Sequence, residues 1–206
     1  MDQDLASRQE ARELGKRAEE AQRILRTFSQ EKLDGIVQAV SRAFLEHARE
    51  LGRMACEETG FGNPQDKEIK NRFAASRVWE AIRSQRTVGI LREDAQQKIW
   101  DVGVPVGVIA AIVPSTNPTS TVCYKAMIAL KAGCAIVFSP HPAAAQCTRR
   151  AAEIVAQAAE SAGCPRGAVA CLQTPTMEAV DELMKCPPVR LILATGGPGM
   201  VKAAYS

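Results

Sequence analysis

The sequence predicts an α/β fold built on a parallel sheet. Three observations carry this expectation. Residues 4–84 show helical spacing of apolar side chains with no β-prone run. Residues 106–194 alternate short, continuous apolar runs with longer helical stretches, the pattern of strands buried on both faces. Gly and Pro punctuate the boundaries between them.

In order along the chain, Leu14, Ala18, Ala21, Leu25 and Phe28 recur at helical spacing within residues 4–28. Ser29 reads as the cap of a second helix. Its stripe runs Leu33, Ile36, Val37, Val40, Phe44, Ala48, Leu51 and Ala55, and Gly60 and Gly62 end it. Asn63-Pro64 turns the chain into a third helix over 65–84, where Asp66 and Lys70 are spaced to pair. The periodicity then changes. Val88 and Ile90, then Ile99, Trp100, Val102 and Val104, flank Arg92-Glu93-Asp94 and predict a hairpin over 87–104. Trp100 reads as a packing residue at a strand or subunit interface. Strands follow at 106–113, 134–138, 168–172 and 189–194. Helices cover 117–131, 143–162 and 176–185, and another starts at 198. This is a Rossmann-type parallel sheet with four strands present. The chain therefore divides into helices at 1–86, the hairpin at 87–104 and a dinucleotide-binding-type domain at 105–206. Residues 201–206 carry neither a helix cap nor a polar tail, so the sequence is expected to be a fragment whose sheet has an exposed apolar edge.

Composition narrows the function classes. The 206 residues carry a net charge of only +3, and Lys and Arg are interleaved with Asp and Glu rather than clustered, which argues against a nucleic-acid partner. The seven cysteines (Cys56, Cys123, Cys134, Cys147, Cys164, Cys171 and Cys186) form no CxxC pair and no zinc-like spacing with histidine. An odd number of thiols within apolar runs fits a reducing compartment. The charged N-terminus has no apolar segment of the kind a secretory signal needs, and the longest apolar stretch, Val104 to Pro114, is far too short to span a bilayer. The expectation is a cytoplasmic protein with no membrane partner.

Ligands of open parallel sheets bind outside the carboxyl ends of the strands. The informative residues are therefore those just after each strand. Pro114, Ser115, Thr116 and Asn117 follow the first. There Asn117, before Pro118, reads either as a helix cap or as an amide free to donate to an oxyanion. Ser139, Pro140, His141 and Pro142 follow the second in a turn stiffened by two prolines. His141 is either a turn residue or a contact to ribose or phosphate, and the turn lacks the carboxylate that often holds ribose hydroxyls. Residues 173–176 follow the third strand. Thr195, Gly196, Gly197, Pro198, Gly199 and Met200 follow the fourth. They offer backbone N–H groups to a phosphate, or simply turn strand into helix, without matching GxGxxG or a P-loop.

Taken in order, Val113-Pro114-x-x-Asn117-Pro118-Thr119-Ser120-Thr121, Phe138-Ser139-Pro140-His141-Pro142 and Ala194-Thr195-Gly196-Gly197-Pro198-Gly199-Met200-Val201 resemble the coenzyme A-acylating aldehyde dehydrogenases, whether stand-alone or as the first half of bifunctional aldehyde–alcohol dehydrogenases. The resemblance extends upstream through Asp66-Lys67-x-Ile69-Lys70-Asn71. It implies an aldehyde dehydrogenase-like fold and NAD(P)-dependent oxidation of a small aldehyde to acyl-CoA, and the reverse, through a cysteine thiohemiacetal and thioester. The implied cofactor is NAD, with NADP also admitted, and coenzyme A is the co-substrate. Asn117 matches the family's oxyanion donor. Pro114, Ser115, Thr116, Ser139, His141, Pro142, Thr195, Gly196, Gly197, Gly199 and Met200 fall in its cofactor-binding loops. The family's nucleophilic cysteine would lie beyond residue 206. Cys123 sits inside the first crossover helix and reads as a packing residue, so the chain alone is expected to be inactive. The hairpin resembles the family's oligomerisation element, implying a homo-oligomer. Members in bacterial microcompartments carry short targeting helices, a role open to residues 4–28, although packing on the domain is the preferred reading. The alternatives are a non-catalytic nucleotide- or coenzyme A-binding module and a hydrolytic aldehyde dehydrogenase. The Ser-Pro-His-Pro turn disfavours the hydrolytic branch, which usually has a lysine there.

Overall fold

A computed structural model describes residues 3–205. Helix α1 (Gln3–Leu25) buries Ala11, Ala18, Ala21 and Leu25 at helical spacing. Ser29 then caps α2 (Gln30–Glu46), its hydroxyl accepting from Lys32 N. The single second helix expected from the sequence is two. At His47 (φ −94°, ψ 4°) the chain breaks, and α3 (Ala48–Thr59) follows, ending at Gly60 in the left-handed conformation (φ 69°). The stripe stays in phase across the break, because Phe44, Ala48, Leu51 and Ala55 are all fully buried. Periodicity alone could not report it. Asn63 caps α4 (Pro64–Ile82), accepting from Asp66 N at 2.9 Å and donating to the Asp66 carboxylate at 2.8 Å. The expected Asp66–Lys70 pair gives way to these bonds, and Lys70 reaches the first strand-end loop instead.

Strands β1 (Gly89–Asp94) and β2 (Ile99–Gly103) form an antiparallel hairpin. Gln30 Oε1 anchors its base by accepting from Thr87 N and Val88 N. Its apolar side chains are not in the core: Trp100 is 62% exposed, and Ile90, Leu91, Ile99, Val102 and Val104 are also exposed.

The remaining strands are β3 (Val108–Val113), β4 (Ala135–Pro140), β5 (Val169–Cys171) and β6 (Val189–Ala194), all parallel in the order β5-β4-β3-β6. Strand β4 runs further than expected, so Ser139 and Pro140 end the strand rather than open the loop. A 3₁₀ turn (Pro142–Ala144) precedes the helix that follows it. Helices α5 (Pro118–Lys131) and α6 (Ala145–Ser161) pack together and against α2, while α1 lies on the sheet with α7 (Met177–Lys185). Strands β3 and β4 are buried along their whole length. At the edge strand β6, Leu191 is 41% exposed. Helix α8 (Pro198–Tyr205) follows β6. Among the described residues no helix is long and apolar enough to cross a membrane.

Two close contacts set the geometry of the sheet's carboxyl edge. Gly52 of α3 lies against α4, where an added Cβ would come within 2.8 Å of Glu68 N. At an ordinary helix position Gly→Ala stabilises. Here the close approach of two backbones reverses the sign, and Gly52→Ala should lose about 1–3 kcal/mol in denaturant melts. The second contact is Lys125 of α5. Its side chain is fully buried, and Nζ donates to Ile112 O (2.8 Å) and Leu193 O (2.6 Å), tying the ends of β3 and β6 together. Burial pushes its pKa from 10.5 down to about 8. The folded chain then binds fewer protons than the unfolded chain between those values, so this group's contribution to stability rises with pH across the window. Relative to Lys125→Met, wild type should therefore gain up to about 3 kcal/mol between pH 7.5 and 10.5. A pH-independent difference between the two unfolding free energies would contradict this.

Candidate functional site

The ends of β4, β3 and β6 are neighbours, and backbone hydrogen bonds join their loops. His141 N donates to Val113 O (3.1 Å), and Thr195 N donates to Ile112 O (3.3 Å). The segments 114–117, 139–142 and 195–200 therefore form one edge around the end of β3. The third loop stands apart. Glu10 of α1 accepts from Gln173 N (2.5 Å) and Thr174 N (3.1 Å), so a carboxylate of the chain itself already takes those N–H groups.

Asn117 occupies the position before α5, but its side chain makes no capping bond. Its Oδ1 instead accepts from Lys70 Nζ (3.2 Å). That contact fixes which way the carboxamide faces, and Nδ2 has no hydrogen-bond acceptor among the described residues. Thr121 N reaches the Asn117 backbone carbonyl, the first bond of the helix ladder. One turn earlier on α4, Lys67 is buried and donates to Thr116 O. Burial first, and then repulsion from Lys70, lowers its pKa below that of an ordinary lysine. Asn71 completes the brace by donating to Ala48 O and accepting from the Thr119 hydroxyl (2.8 Å). Helix α4 thus holds the loop after β3 through three polar side chains. Pro114 and Ser115 are half-buried within it, and Thr116 is exposed.

At the end of β4, Ser139 Oγ is buried and has no hydrogen-bond partner among the described residues. Buried hydroxyls are rarely left so. His141 and Pro142 are exposed, and His141 Nδ1 accepts from Ala143 N (3.1 Å), which makes the imidazole a cap of the 3₁₀ turn. After β6, the Thr195 hydroxyl lies 3.5 Å from Tyr124 Oη of α5. Gly196, Gly197 and Gly199 are exposed, and a Cβ on Gly197 or Gly199 would meet nothing within 4 Å. Gly199 and Met200 lie in the first turn of α8, not in the loop.

Two functional candidates escaped sequence reasoning. Lys125 carried a legible signal, a lysine inside an otherwise apolar crossover helix. Glu58 of α3 carried none. Its carboxylate accepts from Gln146 N (2.8 Å) and Cys147 N (2.7 Å) at the start of α6, across 88 and 89 residues of sequence. Six of the seven cysteines are buried, and burial pushes the Cys123, Cys147 and Cys171 thiols far above their ordinary range, which makes these three poor nucleophiles.

Relatives share this architecture. The bifunctional aldehyde-alcohol dehydrogenase of Escherichia coli strain K12 is 45% identical over 193 residues, which is 94% of this chain and 22% of that protein. The solved structure of an acetylating aldehyde dehydrogenase from Geobacillus thermoglucosidasius matches with a TM-score of 0.98 and 53% identity, over 100% of this chain and 45% of that one. A Rhodopseudomonas palustris propionaldehyde dehydrogenase, solved with bound CoA and an acylated cysteine, matches with a TM-score of 0.80 and 32% identity, over 95% and 44% of the two chains. The chain thus spans less than half the length of each of these proteins. The family model of the aldehyde dehydrogenase family matches residues 1–206. The same strand ends and the same helical brace lie within that match, and the chain belongs to the aldehyde dehydrogenase family.

Proposed function

We propose that this chain supplies the dinucleotide-binding part and the oxyanion donor of a coenzyme A-acylating aldehyde dehydrogenase, interconverting a small aldehyde and its acyl-CoA. The observation that carries the reading is the Asn117 carboxamide at the end of β3, held through its oxygen by Lys70 while its N–H groups have no acceptor among the described residues. A donor preset in this way stabilises the oxygen of a tetrahedral adduct without reorganising as charge develops. An ammonium on the carboxamide oxygen also polarises the amide, which makes it a better donor. The nucleophile is a cysteine outside this chain, in keeping with the burial of six of the seven thiols within it.

The edge fits a nicotinamide dinucleotide. The unpaired Ser139 hydroxyl at the end of β4 calls for a polar ligand group. The open Gly197 and Gly199 backbone at α8 can approach a phosphate closely. Pro114, Ser115, Thr116, Ser139, His141, Pro142, Thr195, Gly196, Gly197, Gly199 and Met200 are the residues proposed to hold NAD, or NADP, which when bound accepts hydride from the adduct. Coenzyme A then receives the acyl group. The exposed apolar hairpin supports a homo-oligomer built through β1 and β2. A cytoplasmic setting follows the thiol pattern. Microcompartment targeting through α1 would have to use the outer face of that helix, because α7 and the sheet cover its apolar stripe.

The test is Asn117→Ala in the enzyme at its natural length, assayed with acetaldehyde or propionaldehyde and coenzyme A. Because the side chain caps nothing, folding should be intact. We expect kcat to fall about 10²–10³-fold with the dissociation constant for NAD unchanged. An unchanged kcat would remove Asn117 from the chemistry.

A further inference from the structure

The turn after β4 has no carboxylate of its own, yet a carboxylate stands at the start of α6, the helix that this turn leads into. Dinucleotide folds that select NAD commonly place an Asp or Glu at the end of the second strand, where it accepts from the ribose 2′-hydroxyl, whereas NADP sites place an arginine for the 2′-phosphate. In this sheet the second strand in chain order is β4, and α6 follows it. The first two N–H groups of α6 after Ala145 donate to Glu58, which comes from α3. These N–H groups would otherwise make the helix start attractive to a phosphate. Each carboxylate oxygen holds one of them, so each retains a lone pair for a hydroxyl. The cations nearby are committed elsewhere. Arg149 donates to Gln173 O (2.9 Å) on the β5 side, Arg150 pairs with Glu50 (2.9 Å), and Lys67 is fixed on Thr116 O.

We propose that Glu58 sets a preference for NAD over NADP, by filling the start of α6 with a fixed negative charge that tolerates a ribose hydroxyl and repels a 2′-phosphate. The inference rests on the dinucleotide reading above and adds a specificity-determining residue on a helix outside the nucleotide-binding segment. Glu58 acts here on binding and takes no part in the reaction.

The experiment is calorimetric titration of the natural-length protein with NAD and with NADP, for wild type, Glu58→Gln, Glu58→Asp and, as a surface control, Glu57→Gln. Gln keeps an acceptor for one N–H but loses the charge. We expect wild type and Glu57→Gln to bind NAD more tightly than NADP. Glu58→Gln should move the ratio toward NADP by about tenfold or more, and Glu58→Asp should retain the preference. A readout on wild type alone does not depend on any variant folding: its preference for NAD should narrow as ionic strength rises. Equal affinity of wild type for the two nucleotides, or an unchanged ratio in Glu58→Gln, overturns the role of Glu58 while leaving the dinucleotide site intact. Failure of wild type to bind either nucleotide overturns the site itself, and this inference with it.

Discussion

The end of β3 is the constraint on which the site depends. This strand lies between β4 and β6 with all six residues buried, so its position is fixed by packing on both faces and by a ladder on each side. Its last two carbonyls are then used across the strand boundaries. Val113 O takes the His141 N–H of one neighbouring loop, and Ile112 O takes both the Thr195 N–H of the other and the Lys125 ammonium. The loops are irregular, but the two neighbouring ones are pinned to a strand buried along its whole length. Long-range order at the site therefore comes from the core, and the loop residues need only supply chemistry.

A second layer of control comes from charged residues on the N-terminal helices. Glu10 of α1 closes the loop after β5, Glu58 of α3 closes the start of α6, and Lys67 and Lys70 of α4 brace the loop after β3. In each case a side chain meets backbone groups or a carboxamide left without partners where a strand or helix ends. The helices thus do more than cover the sheet. They decide which polar groups at its carboxyl edge stay free for a ligand. Bonds from α1 and α3 occupy two helix or loop starts, while the Asn117 amide, the Ser139 hydroxyl and the glycine turn after β6 remain open.

Much of this was legible in the sequence. The β3–β6 alternation follows from continuous apolar runs between helical stretches, and the strand-end rule places Asn117 and the Gly196–Gly197 turn just past β3 and β6, whereas Ser139 falls inside β4 rather than after it. The break at His47 was not legible, because Phe44, Ala48 and Leu51 stay in helical phase through it. Spacing points Lys70 to Asp66 one turn away, but Asn63 bonds to the Asp66 carboxylate and backbone, and Lys70 reaches Asn117. Glu58 could not be found at all. Local pattern reports spacing within one element, and a side chain that caps a helix nearly ninety residues later leaves no periodic trace.

Hydrogen–deuterium exchange of the natural-length protein with and without NAD tests the central claim most directly. The account predicts slowed exchange at 114–117, 139–147 and 195–200, with the hairpin at 89–103 and the loop at 173–176 unchanged. Protection confined to the hairpin or to the β5 side, with the three loops around the end of β3 exchanging as before, would contradict it.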